Sequence, residues 1–165
     1  MKKSPIRIIT YNAIIAAVYV VLTLLTYEIS YLGLQFRIAE ILMLLCFFRK
    51  DSILGLTLGC AISNIFSFSP LDVVFGTTAT VLACLCIMFS KFLIVGVIAP
   101  VVFNAFIVGF ELWWLLEAAF WPSVLSVALG ELAVLTVGYI IFMLLKKRKE
   151  FFEAFGADQN LEFKF

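Results

Sequence analysis

From Ile6 to Leu145 the chain runs through 140 positions in which apolar residues are broken only by single charges and short polar turns. Such a sequence has too little polar surface to cover a water-soluble core. Of its 165 residues 64% are hydrophobic and 14% charged, whereas soluble domains sit near 45–50% and about 25%. The apolar residues span nearly the whole chain, so neither a cleaved leader nor a single anchor accounts for them. A membrane helix takes about 20 residues, which allows four to six spans and leaves no room for a soluble catalytic domain.

Charge orders these spans. Lys2, Lys3 and Arg7 precede the first apolar run and Lys146, Lys147, Arg148 and Lys149 follow the last. Basic flanks mark the cytoplasmic side, so both termini are expected inside and the number of spans even. Six fits better than four. Breaks at polar and turn residues place helices near 6–27, 36–48, 52–67, 72–90, 92–112 and 121–145. In that arrangement Arg49, Lys50, Lys91 and Lys164 are also inside, and of the twelve basic residues only Arg37 lies outward. The expected fold is an all-α integral membrane bundle of six transmembrane helices over residues 1–149, followed by a cytoplasmic tail, 150–165, with no periodicity that fixes its structure. Trp113, Trp114 and Trp121 would form an aromatic belt at the outer interface.

The acids are distributed in the opposite sense. Asp51, Glu150, Glu153, Asp158 and Glu162 fall on the cytoplasmic side, Asp51 with Ser52 reading as a helix N-cap. Glu28, Glu40, Asp72, Glu111, Glu117 and Glu131 lie outward, against Arg37 alone. An outward half of this kind suits a cation or a ligand with several hydrogen-bond donors, and disfavours anions. Glu131 is ten residues past Trp121, about 15 Å along a helix, which sets it near mid-membrane, where a carboxylate is costly and usually functional or paired. Asn104 and Glu111, seven apart, share one helical face and suit a cavity lining; an interhelical hydrogen bond and a headgroup-level acid are the simpler alternative. Arg37 and Glu40, three apart, are placed to pair, either as a structural clasp or, with Gln35, as part of the pocket. Asn64 is a further polar candidate. Asp72 reads first as an N-cap after Pro70, and Glu28 and Glu117 as rim residues.

Several chemistries find no support. The chain has no histidine, which removes the commonest general base and metal ligand. Cys46, Cys60, Cys84 and Cys86 lie in apolar helices without metal-ligand spacing, Cys84 and Cys86 on opposite sides of one helix. Ala13 and Ala17 form an A-x-x-x-A face on the first helix and Gly55 and Gly59 a G-x-x-x-G face on the third, patterns that permit close helix packing. Pro100 interrupts the backbone bonding of the fifth.

The runs QFRIAEILMLLCFF, GLTLGCAISNIFS, PLDVVFGTTATVLA and FNAFIVGFEL, with the later ALGELAV, occur in an order that resembles the QueT family of queuosine-precursor transporters across most of residues 8–145. This resemblance implies a substrate-binding S component of an energy-coupling factor (ECF) transporter. Such a subunit would bind a deazaguanine from outside and dock on a coupling membrane protein served by two cytoplasmic ATPases. It would not be an enzyme and would hold no cofactor, ATP being used by the partners. Ala13 and Ala17 match the docking face that the resemblance implies. An aminomethyl-deazaguanine presents an ammonium, a flat ring and a donor edge, for which Glu111 and Glu131 are the expected acceptors. Gln35, Arg37, Glu40, Asn64, Asp72 and Asn104 are the other candidate contacts, and a phenylalanine or tryptophan is expected to stack on the ring. The alternatives are an S component for another cationic or aromatic vitamin such as thiamine, and a structural membrane scaffold, which would have no need of a buried Glu131. An intramembrane enzyme would require clustered acids or nucleophiles at the cytoplasmic interface, and the sequence offers none there.

Overall fold

A computed structural model describes residues 4–31, 36–67, 69–145 and 148–160. Among these every regular element is helical. They are α1 (Pro5–Leu25), α2 (Tyr27–Tyr31), a 3₁₀ helix (Ile38–Leu44) continuing into α3 (Leu45–Phe48), α4 (Ser52–Asn64), α5 (Asp72–Phe89), α6 (Val95–Leu116), α7 (Phe120–Leu145) and α8 (Lys149–Phe155).

Large apolar side chains face outwards while several charged and polar ones are buried. Ile6, Ile9, Leu25, Leu54, Phe89, Leu129 and Leu144 are exposed, while Arg37, Glu40, Asn104, Glu111 and Glu131 are buried. That inversion has its place in lipid, where apolar side chains meet acyl tails and polar groups must face the bundle interior. Helices α1, α5, α6 and α7 are each long and apolar enough to cross a membrane. The protein is a multi-pass membrane protein.

The second and third expected spans differ from the sequence reading. The segment Ile38–Phe48 is short and mostly 3₁₀, and α4 has 13 residues; each is about 20 Å long at rises of about 2.0 and 1.5 Å per residue. Neither matches the ~30 Å hydrocarbon layer. The cause is tertiary. The 3₁₀ helix touches α1, α4, α5, α6 and α7, and Met43, Leu44, Cys46, Phe47 and Phe48 are completely buried. It is a hub inside the bundle, where no lipid-facing turn is needed. Around it α1, α4, α5, α6 and α7 pack in succession.

Small residues allow the close approaches. A Cβ on Gly55 would lie 2.6 Å from the Asn12 carbonyl oxygen, and one on Gly59 would lie 2.8 Å from the Tyr19 Cβ. The G-x-x-x-G face is therefore internal packing of α4 on α1. Ala13 and Ala17 lie on another side of α1 and are exposed.

Three local expectations are revised. Asp51 occupies the N-cap position of α4 but makes no side-chain cap bond; both its oxygens accept from Arg49, at 2.8 and 2.6 Å, since the guanidinium offers two donors to the carboxylate. Asp72 occupies the first turn of α5 with Leu71 before it, and makes no side-chain cap bond. Trp113 and Trp114 belong to the last turn of α6, which runs to Leu116, and both are exposed with Trp121. Cys84 is buried and Cys86 exposed, as opposite sides of α5 require.

The tail also gains a structure. Phe152 of α8 is buried against Phe48, ring centroids 4.8 Å apart. Gln159 donates to the carbonyls of Cys46, Phe47 and Met88, and Asn160 to those of Phe47 and Ser90. These amides satisfy carbonyls that helix ends leave open, so residues 149–160 close the Arg49 end of the bundle.

Candidate functional site

The 3₁₀ hub brings the first charged pair into the interior. With the Arg37 carbonyl accepting the Glu40 backbone N–H at 2.9 Å, the two side chains emerge together, and Arg37 Nη1 stands 3.7 Å from Glu40 Oε1. Tyr19, completely buried on α1, donates its hydroxyl to the same oxygen at 2.5 Å. Glu40 is itself completely buried, and its Oε2 has no hydrogen-bond partner.

Helices α6 and α7 deliver the next two groups at one depth. A Cβ on Gly96 or on Gly138 would run into the same side chain, Leu44, so these two glycines mark one level. Asn104 is eight residues from Gly96 and Glu131 seven from Gly138, both towards the α6–α7 turn. The Asn104 amide lies beside the carboxyls of Glu40 and Glu131, yet neither of its polar atoms has a hydrogen-bond partner, nor does Glu131 Oε2. Asn104 is 1% exposed and Glu131 4%. The face expected to carry Asn104 and Glu111 is thus an interior face, and Glu131 is a buried acid.

Glu111 stands two turns beyond Asn104, about 10 Å along the axis. It is 2% exposed, and both its oxygens lack partners, although Asp72 and Ser69 are its neighbours. Arg37, paired with Glu40, also acts electrostatically on Glu131 and Glu111. Asn64, at the end of α4, is committed differently: its amide donates to the Asp72 carbonyl at 3.0 Å and to Cys60 Sγ at 3.4 Å. A Cβ on Gly76 would lie 2.6 Å from Asn64 Nδ2 and 3.6 Å from Arg37 Nη1, so α5 brings the two short elements together at their far ends. Gln35 lies outside the described residues. Glu28 and Glu117 are exposed.

The sequence reading missed Tyr19, Cys60 and Thr80. Thr80 donates to Cys60 Sγ at 3.2 Å, and Cys60 lies near Tyr19, Arg37 and Glu40. A signal was available for the tyrosine: Asn12, Tyr19 and Thr23 form a polar stripe on α1, and all three are buried.

The cluster therefore holds six unpartnered buried atoms among the described residues: Glu40 Oε2, both polar atoms of Asn104, both oxygens of Glu111 and Glu131 Oε2. Each such atom costs about 1–3 kcal/mol. The groups combine acceptors with one amide donor, suited to a flat molecule rich in donors.

The sequence model described as QueT transporter matches residues 9–147. The chain belongs to the QueT transporter family. It is similar to a protein of Lactococcus lactis subsp. cremoris (strain MG1363) described as queuosine precursor transporter QueT, with 35% identity over 164 residues that cover 90% of this chain and 97% of the relative. No solved structure matches. QueT is a transporter family and not an enzyme family, so the buried acids belong to a membrane transporter.

Proposed function

We propose that this chain is the membrane-embedded substrate-binding subunit of an ECF-type importer and that it captures a queuosine precursor, an aminomethyl-deazaguanine or a related deazaguanine, from the outer side. The observation that carries this reading is the buried set of unpartnered acceptors on Glu40, Glu111, Glu131 and Asn104. A deazaguanine offers a ring N–H and an exocyclic amine to a carboxylate, and a carbonyl to an amide donor. Family membership and the name of the Lactococcus relative support the same ligand class.

The fold supports a wider mechanism of this kind. In this reading the short segments Ile38–Phe48 and α4 also traverse the bundle beside the four long helices α1, α5, α6 and α7, an even number that returns the chain to the side on which it began. The basic residues at both ends support a cytoplasmic assignment for that side. Ala13 and Ala17 present small side chains on an exposed stripe of α1, where another helix can approach closely. In this reading the stripe docks on the coupling membrane protein, and two partner ATPases use ATP to drive release of the ligand inwards.

Titration calorimetry of the purified protein with aminomethyl-deazaguanine tests the proposal, with thiamine as the competing probe. Saturable binding of the deazaguanine with no thiamine binding is expected. Binding of thiamine alone would overturn the ligand assignment, and binding of neither would remove the basis for a substrate-binding subunit.

A further inference from the structure

The acceptors stand in two tiers. In the inner tier Glu40 and Glu131 flank Asn104, at the level where Tyr19 holds one Glu40 oxygen. In the outer tier, about 10 Å away along α6, Glu111 neighbours Asp72. Their electrostatics differ. Glu40 has a guanidinium 3.7 Å away and a phenol bonded to it, so part of the inner charge is already balanced. Glu111 has a second carboxyl as its neighbour and both oxygens unpartnered at 2% exposure.

Each tier therefore requires a different group. The inner one offers carboxylate acceptors beside an amide that can both donate and accept, a match for the edge of a lactam ring that carries an amine. The outer one offers two neighbouring carboxyls, whose oxygens match an ammonium with its three donors. A two-ring base extended by one methylene, with a hydrogen bond at each end, spans on the order of 10 Å, the separation of the tiers.

We infer that Glu111 and Asp72 form an ammonium subsite that sets the protein's preference for an amine-bearing deazaguanine, while Glu40, Asn104 and Glu131 read the ring edge. This rests on the proposed ligand class and deepens it by dividing the recognition. The outer pair is then the specificity determinant, and an uncharged substituent on the same ring loses its contribution. Removing the ring-edge acceptors weakens every deazaguanine alike.

Calorimetry with aminomethyl-deazaguanine and cyano-deazaguanine tests the division. The parent is expected to bind the amine form about 10- to 100-fold more tightly, as charge-assisted hydrogen bonds allow. Glu111→Gln should remove most of that preference by weakening the amine form alone, and Asp72→Asn, at a partly exposed helix start, should act in the same direction; it carries the test if Glu111→Gln fails to fold. Glu131→Gln should weaken both probes by similar factors. Equal parental affinity for the two probes, or equal weakening of both by the outer substitutions, overturns the division and leaves the ligand class standing. Failure of the parent to bind either deazaguanine overturns the ligand class itself.

Discussion

Tyr19→Phe is a sharp test of how the interior acid is held. The substitution keeps the ring, which is completely buried, and removes only the hydroxyl that donates to Glu40 Oε1 at 2.5 Å. Glu40 then retains Arg37, 3.7 Å away, while its Oε2 remains without a partner. A hydrogen bond to a charged group contributes about 1.5–3 kcal/mol, equivalent to about a 10- to 150-fold change in an equilibrium constant. If the phenol serves only the fold, the loss falls on the free and bound forms equally: thermal stability drops and ligand affinity does not. If the phenol aims Glu40 at the ligand, both drop. We expect both, with affinity for aminomethyl-deazaguanine weakened about tenfold or more, measured by calorimetry beside a thermal melt in detergent. Unchanged affinity with a lowered melting temperature would refute a ligand role for Glu40 and leave its pairing with Arg37 and Tyr19 as a structural clasp.

Ala17→Trp should leave ligand affinity intact but abolish uptake in vesicles containing the coupling protein and ATPases, because the residue is exposed on α1 whereas Tyr19, which holds Glu40, faces the interior; normal uptake would move the docking face elsewhere. A cysteine at Glu117, exposed at the α6–α7 turn, should react with an impermeant reagent on intact cells, and reaction only after lysis would invert the proposed topology. Ser30 is unsuitable for the same experiment because it is completely buried. Phe152→Ala should destabilise the protein by about 3 kcal/mol, seen as a lowered melting temperature, because the ring is 6% exposed and packs on Phe48; an unchanged melt would show that the tail contributes little to stability.

Much of this arrangement is legible in the sequence. The positions of α1, α5, α6 and α7 follow from apolar runs bounded by turns, and the burial of Glu131 from its place well inside such a run. The seven-residue spacing puts Asn104 and Glu111 on one interior face, and the three-residue spacing pairs Arg37 with Glu40. What escaped depends on contacts between distant segments. Nothing local separates QFRIAEILMLLCFF from a membrane span; its 3₁₀ form and short length come from being enclosed by five other helices. Tyr19 was hidden for a related reason, since an aromatic residue in an apolar helix is ordinary until its hydroxyl is seen to meet an acid. The tail gave no periodic signal because single amides at Gln159 and Asn160, bonded to carbonyls of distant helix ends, hold it in place.

The hub also bears on how a ligand would leave. Beneath Glu40, towards the Arg49 end, the chain continues through Met43, Leu44, Phe47 and Phe48, all completely buried. Leu44 is wedged where Gly96 and Gly138 have no side chains, and the tail closes over Phe48 through Phe152. Interiors packed in this way have few voids larger than a water molecule, so a two-ring base has no passage through them without repacking several large side chains. A channel through this chain is therefore the less economical mechanism. Movement of the whole bundle against a partner, which the exposed Ala13 and Ala17 stripe would accommodate, requires no such repacking. The packed floor below the acids and the small-residue face on α1 thus support the proposed division of labour, in which this chain would bind and a separate coupling protein would supply the motion.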